Sequence, residues 1–243
     1  MTTFFVLLIS FVATLVRSTF GFGESLIAVP LLILFLPIEI SVPLSVLLSV
    51  LIAVIVVIQD HRKIHFQSAK WLILYAMPGI PVGLMLLLFA SDFWVELVLG
   101  LLLVFHSLYS LLEKERPHQV TNDQWWLFIC GFLSGVFGGA YGINGPPLVV
   151  YGKLQRWSAN RFRATLQAYF FVASTVSIIG YAYKGLISGS VVVNFLYAIP
   201  AALPAIFFGR YLNNRLGSNE FYRYVYIALL LVGVFLLIRV GLR

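Results

Sequence analysis

Apolar residues in this chain fall in long unbroken runs, with the polar positions gathered between them. That spacing describes helices immersed in hydrocarbon, which need about 20 apolar residues to cross and rarely fewer than about 17. Six runs reach or approach that length: 42–58, 71–89, 93–112, 164–183, 191–208 and 222–240. Each predicts one transmembrane helix. Two further regions differ, because each holds two short apolar pieces around a glycine-rich break: 2–16 and 25–36 around 17–24, and 125–137 and 146–154 around 138–145. At 1.5 Å per residue a piece of about 12 residues reaches about 18 Å, too short to cross alone. Each pair is therefore one broken span or a hairpin that enters the membrane and returns.

Composition agrees with this reading. Of 243 residues, 61% are hydrophobic and only 10% charged, against about 25% charged in ordinary globular proteins; the mean hydropathy is +0.99. A secreted toxin, a cytosolic enzyme and a nucleic-acid binder are excluded. The single cysteine, Cys130, leaves no intrachain disulfide and no multi-cysteine metal site. No Lys or Arg precedes the first apolar run, so a signal peptide is not expected.

The chain repeats itself. Leu74-Tyr75-Ala76-Met77-Pro78 returns as Leu196-Tyr197-Ala198-Ile199-Pro200, 122 residues on, and the break at Gly21 maps to that at Gly142 with a displacement of 121. Residues 1–122 and 123–243 thus read as two transmembrane repeats, each a broken pair followed by three helices. If the pairs are hairpins, Arg62, Lys63, Lys70, Lys114, Arg116, Lys153, Arg156, Arg161, Arg163, Arg210, Arg215 and Arg223 share one side, twelve of the sixteen basic residues. The positive-inside rule makes that side cytoplasmic. If each pair crossed once, the segment 153–163 would lie outside with four basic residues, so the hairpins are preferred. Three full spans per half is odd, and the second repeat enters with opposite polarity. The expected fold is an all-α polytopic membrane protein of two inverted repeats, with both ends outside the cytoplasm. The net charge of +7 then signals orientation, not nucleic acid.

Irregular backbone at membrane depth survives only inside protein or beside a wet cavity. Two such breaks in matching places mark the expected binding site. The first supplies Arg17, Gly21, Gly23, Glu24 and Ser25, with Ser25 or Glu24 capping or beginning the second half-helix. The second supplies Tyr141, Gly142, Asn144, Gly145 and Pro146, with Asn144 as N-cap and the prolines in the first turn. Each half-helix would point free amides and a partial positive charge at the membrane centre, a setting for a small anion. Arg17 and Glu24 are charges that cost about 2.5–3.5 kcal/mol each at that depth, so they are functional or paired. Arg17 suits an anion; Glu24 pairs with it or carries a coupling proton. Gln167, Ser174, Thr175, Ser177, Ser45 and Ser49 rank lower, since serines in such helices commonly bond their own backbone. The histidines show no metal spacing. Trp71, Trp125, Trp126 and Trp157 read as interfacial anchors, and the basic stretch 157–163 as lying on the cytoplasmic surface, with Arg163 near the way in.

At Gly21-Phe22-Gly23-Glu24-Ser25-Leu26-Ile27-Ala28-Val29-Pro30 and Tyr141-Gly142-Ile143-Asn144-Gly145-Pro146-Pro147-Leu148 the chain resembles the TauE/SafE sulfite-exporter family, as it does at Pro78-Gly79-Ile80-Pro81-Val82-Gly83. The resemblance implies transport of sulfite, sulfonates or related sulfur-containing organic anions across the bacterial cytoplasmic membrane, often outward and driven by protons. Glu24-Ser25, Asn144 and the Pro-Pro pair depart from the family's usual glycine triplet. No G-x-x-x-x-G-K-[ST] motif is present to bind nucleotide. The expectation is a secondary transporter of small anions working by alternating access in the lipid bilayer, without cofactor or metal, as a monomer or homodimer. A passive anion channel is the alternative, followed by an intramembrane enzyme or a membrane scaffold.

Overall fold

A computed structural model describes residues 2–89, 92–112, 123–141, 144–216 and 218–241. Eleven α-helices account for nearly all of them, with a short 3-10 turn at His61–Lys63. Their order is α1 Thr2–Phe20, α2 Glu24–Leu32, α3 Ile38–Asp60, α4 Phe66–Ala76, α5 Gly79–Phe89, α6 Asp92–Leu112, α7 Asp123–Tyr141, α8 Gly145–Leu154, α9 Ala159–Tyr183, α10 Gly189–Arg215 and α11 Ser218–Gly241. Among the described residues five segments are long and apolar enough to cross a membrane: Thr3–Phe20, Ile38–Lys63, Ala159–Tyr183, Gly189–Arg215 and Arg223–Gly241. The protein is a multi-pass membrane protein.

The three opening helices of the two halves start 121 residues apart: α1 with α7, α2 with α8, α3 with α9. Packing between the halves is reciprocal as well. Helix α1 lies on α10, while α7 lies on α4 and α5, which hold the place of α10 in the first half; α3 meets α9, and α6 meets α11. Lipid gives helices no hydrophobic reason to associate, so close approach depends on small residues. On α7 these are Gly131, Gly135 and Gly139, laid against the backbone of Leu72, Ala76 and Ile80. Ser10, Thr14 and Ser18 hold the same places on α1 and are fully buried, with Ser18 against Gly209 of α10.

The first broken pair folds back on itself, and in the second α7 packs on α8. Phe5 near the start of α1 stacks on Phe35 just beyond α2, with ring centroids 4.4 Å apart, so the chain returns to where it began. Their first arms are longer than the sequence reading allowed. Arg17 to Phe20 form the last turn of α1, and Gly138 to Tyr141 that of α7, so each arm has 19 residues. Polarity interrupts a hydropathy pattern without interrupting hydrogen bonds. What stops α1 is Gly21 and Gly23, at φ +88° and +96°, a left-handed backbone that side chains resist.

Two other expectations need correction. The run 71–89 is not one helix: α4 and α5 meet at Met77-Pro78 with a 46° bend, whereas Pro200 lies inside continuous α10. Pro78 is followed by Gly79, a poor helix former, and Pro200 by Ala201, the best. The stretch 157–163 is amphipathic, with Ser158 and Arg161 exposed, but Trp157 is not the interfacial anchor expected. Trp157 is buried against Tyr151, at 5.5 Å between centroids, and Arg163 is buried in the first turns of α9. Trp71, Trp125 and Trp126 are exposed, as anchors should be.

Candidate functional site

Helices α3 and α9 pack together, and the residues that receive Arg17 sit near the middle of each. Ser49 is the central residue of Ile38–Asp60, and Phe170 is one residue from the centre of Ala159–Tyr183. Arg17 Nη1 donates to Ser49 Oγ at 2.7 Å and to Glu24 Oε2 at 3.4 Å. Nη2 donates to the Ser49 carbonyl at 3.3 Å and to Gln167 Oε1 at 3.1 Å, and Nε to the same Gln167 oxygen at 3.2 Å. The guanidinium lies 4.5 Å from the centroid of the Phe170 ring, an arrangement that favours a desolvated cation.

Glu24 is fully buried. Ser45 Oγ donates to its Oε1 at 2.8 Å, and Ser25 Oγ to its Oε2 at 3.1 Å. A charge at this depth is tolerated when paired and hydrogen-bonded, and both conditions are met here. Gln167 closes the frame by donating from Nε2 to the Gly21 carbonyl at 3.1 Å. The break is thus fastened to α9 as well as to its own hairpin.

The second break reaches the same place. One small cavity is lined by Arg17, Gly23, Glu24, Ser25, Asn144 and Gly145, with Leu26 and Phe170 completing its wall. The first turns of α2 and α8 therefore face a common space. Neither N-cap residue supplies a side-chain hydrogen bond: α2 begins after Gly23 and α8 after Asn144, and among the described residues neither helix start has a side-chain cap. Of the two roles expected of Glu24 and Ser25 they take the second, beginning α2 as its first helical residues and bonding each other. Asn144 stands at the expected N-cap but makes no capping bond there, and its amide lies against Gly138. Uncapped amides at a helix start suit an anion. Pro146 and Pro147 stand in the first turn of α8 and carry no N–H, so of its first four residues only Gly145 and Leu148 have amides to offer an anion.

Of the ten residues picked from the sequence, Arg17, Gly23, Glu24, Ser25, Asn144 and Gly145 line the cavity. Gly21 is held beside it through its carbonyl, and Pro146 is buried in α8 behind it. Gly142 and the side chain of Tyr141 lie outside the described residues. Ser45, Ser49, Gln167 and Ser174, ranked low, belong to the frame; Ser174 pairs with Ser49 at 2.8 Å. Thr175 and Ser177 bond their own helix, to Phe171 and Ala173. The sequence reading missed Phe170, and also Ser134 and Tyr169. Ser134 supports the second break by donating to the Asn144 carbonyl at 2.7 Å and meets Tyr169 at 2.9 Å. A serine inside the glycine stripe of α7 was the one available signal. Among the described residues no group of three or more His, Cys, Asp or Glu could hold a metal.

Comparison with known proteins fits this geometry. The family model described as sulfite exporter TauE/SafE matches residues 6–236. A probable sulfite/organosulfonate exporter TauE from Cupriavidus necator is 28% identical over 137 residues, covering 55% of this chain and 53% of that protein, so the matched stretch spans about half the relative's length. No solved structure matches. With a family match running through both breaks and nearly all of the sequence, the chain belongs to the sulfite exporter TauE/SafE family.

Proposed function

We propose that this protein is a secondary transporter of small sulfur-containing anions, sulfite or organosulfonates, exporting them across a bacterial cytoplasmic membrane. The observation that carries the reading is the shared cavity, where a buried arginine and two uncapped helix N-termini from opposite halves meet. The substrate class comes from the family and from the printed name of the Cupriavidus relative.

Glu24 now occupies part of the Arg17 fork, through a contact of 3.4 Å. An anion in the cavity would compete for that fork. Protonation of Glu24 removes the competition and leaves a neutral acid still hydrogen-bonded to Ser45. Proton and anion would then bind together and move the same way, with Glu24 as the coupling residue, so the outward drive is the anion's own gradient and the membrane potential acting on its negative charge. Reciprocal packing between halves supports a pseudo-twofold relation, because contacts that exchange partners are the mark of such an axis. Residues 1–122 and 123–243 are read as inverted repeats whose rocking exposes the cavity to each side in turn.

The test is flux in vesicles of purified protein, with sulfite, an alkyl sulfonate and a carboxylate compared. Saturable sulfite or sulfonate movement with counterflow is expected. Unitary currents would replace the carrier by a channel, and no movement of any anion would overturn the proposal.

A further inference from the structure

Beyond the central cavity, the described residues hold a second buried ionic cluster around Asp60, at the carboxyl end of α3. Its Oδ2 accepts from Arg163 Nη1. Its Oδ1 lies 3.1 Å from Lys63 Nζ and 3.1 Å from Arg210 Nη2. One carboxylate therefore faces three cations, with two positive charges left over. Asp60 is 3% and Arg163 1% exposed, while Lys63 and Arg210 are about 40% exposed. The cluster has a wet rim and a dry floor. Two buried donors of the cluster have no acceptor among the described residues, Arg163 Nη2 and Arg210 Nε.

We infer that this cluster is a second anion site, a staging point where a small oxoanion arriving from the cytoplasm takes over donors of Arg163 and Arg210 that Asp60 now shares. The inference rests on the transporter reading for its ligand class and sidedness. Excess cation charge and unfilled guanidinium donors fit an oxoanion, which accepts two such bonds at once. The rim lies on the side that carries most of the chain's basic residues.

A chain of contacts links the cluster to the central cavity. Arg163 Nε donates to the carbonyl of Ser18, the neighbour of Arg17 in the last turn of α1. Its Cα is 3.0 Å from where a Cβ on Gly21 would stand. One turn farther along α9, Gln167 is already bonded to Arg17. The far ends of the α3 and α9 pair offer no counterpart. At the 121-residue displacement Asp60 answers to Tyr181 and Arg163 to Val42, and those two belong to an apolar cluster with Val29 and Val46. The site is one-sided.

The experiment measures the KM for sulfite separately at each face of full-length protein in oriented vesicles. Arg210→Gln is expected to raise the cytoplasmic-face KM about fivefold and leave the opposite face unchanged. Asp60→Asn is expected to lower it, because it removes the competing carboxylate. A purely structural clasp would make both variants worse on both faces, and that outcome, or an unchanged cytoplasmic KM in Arg210→Gln, overturns the inference. If the unaltered protein moves no sulfite, the transporter reading fails independently. Sulfite-dependent thermal stabilisation in detergent then decides, expected to be larger in Asp60→Asn and smaller in Arg210→Gln than in the unaltered protein. Equal stabilisation in all three overturns the second site.

Discussion

The two breaks occupy the same place in successive halves and hold different chemistry. At a displacement of 121 residues, Arg17 answers to Gly138, Glu24 to Gly145 and Ser49 to Phe170. The first break supplies both ions; the second supplies a bare helix start and room. Gly138 has the Asn144 amide where a side chain would go, and Gly145 has the Phe22 ring. A repeated backbone with repeated charges would bury two arginines and two carboxylates in one cavity. Each would carry its own desolvation cost, of order 2.5–3.5 kcal/mol. Confining the pair to one half halves that cost and lets a single anion, or a single proton, tip the balance.

Removing the cation is the harshest test of that division. Arg17→Ala should reduce transport at least about 100-fold, a loss of about 2.7 kcal/mol. It should also destabilise the protein by about 3–5 kcal/mol, because Glu24 is left buried without its partner. Thermal melting of the Arg17→Ala, Glu24→Gln double variant separates the two effects: stability should recover substantially while transport stays absent. Recovery of transport would mean that the ions only fasten the hairpin.

Glu24→Gln should be milder. The amide keeps an acceptor for Ser45 and loses the charge that competes with substrate. Transport is expected to fall about tenfold and to lose its dependence on pH, since the group that binds the coupling proton is gone. Flux measured across a pH series checks this, and a pH profile matching the unaltered protein would assign coupling elsewhere.

The glycines of the first break come next. Gly21→Ala puts a side chain on a left-handed backbone, at about 1–2 kcal/mol, and sets its Cβ 3.0 Å from the Arg163 Cα. Transport should fall several-fold and the melting temperature by a few degrees. Gly145→Ala carries no backbone strain in its helical position, but its Cβ would stand 2.5 Å from the Phe22 ring and 2.8 Å from the Phe22 Cβ, closer than atoms pack. It should be at least as damaging as Gly21→Ala, and a harmless Gly145→Ala would show that the second break yields readily.

These outcomes turn on features that were unevenly visible in the sequence. Buried ions are conspicuous in an apolar run because their cost demands a reason, and this exposed Arg17 and Glu24. The repeat was legible through a five-residue match and paired glycines. Helix ends were not. Arg17, Ser18 and Thr19 resemble a loop by polarity, yet a helix tolerates all three until a residue must adopt positive φ. Phe170 was hidden because an aromatic in an apolar helix carries no signal until another chain segment places a cation over its ring. The Asp60 cluster joins residues 103 and 150 positions apart, a pairing that no local pattern encodes.

The smallest expected effect sharpens the comparison most, because it separates folding from binding at the neutral break. Asn144 sits at an N-cap, where losing a capping side chain usually costs about 1 kcal/mol. Its side chain makes no capping bond here, and the contact that fixes the break is its main-chain carbonyl, held by Ser134 at 2.7 Å. Asn144→Ala keeps that carbonyl. Asn144 is buried and its side chain also meets the Tyr169 hydroxyl, so stability should fall, but, with the carbonyl bond kept, by less than about 1 kcal/mol. Anion affinity should drop two- to threefold, because Asn144 lines the cavity together with Arg17. Thermal melting and sulfite titration on the same preparation test both halves of the claim. A stability loss of more than about 1 kcal/mol with unchanged affinity would make the second break structural, leaving anion binding to the first break alone.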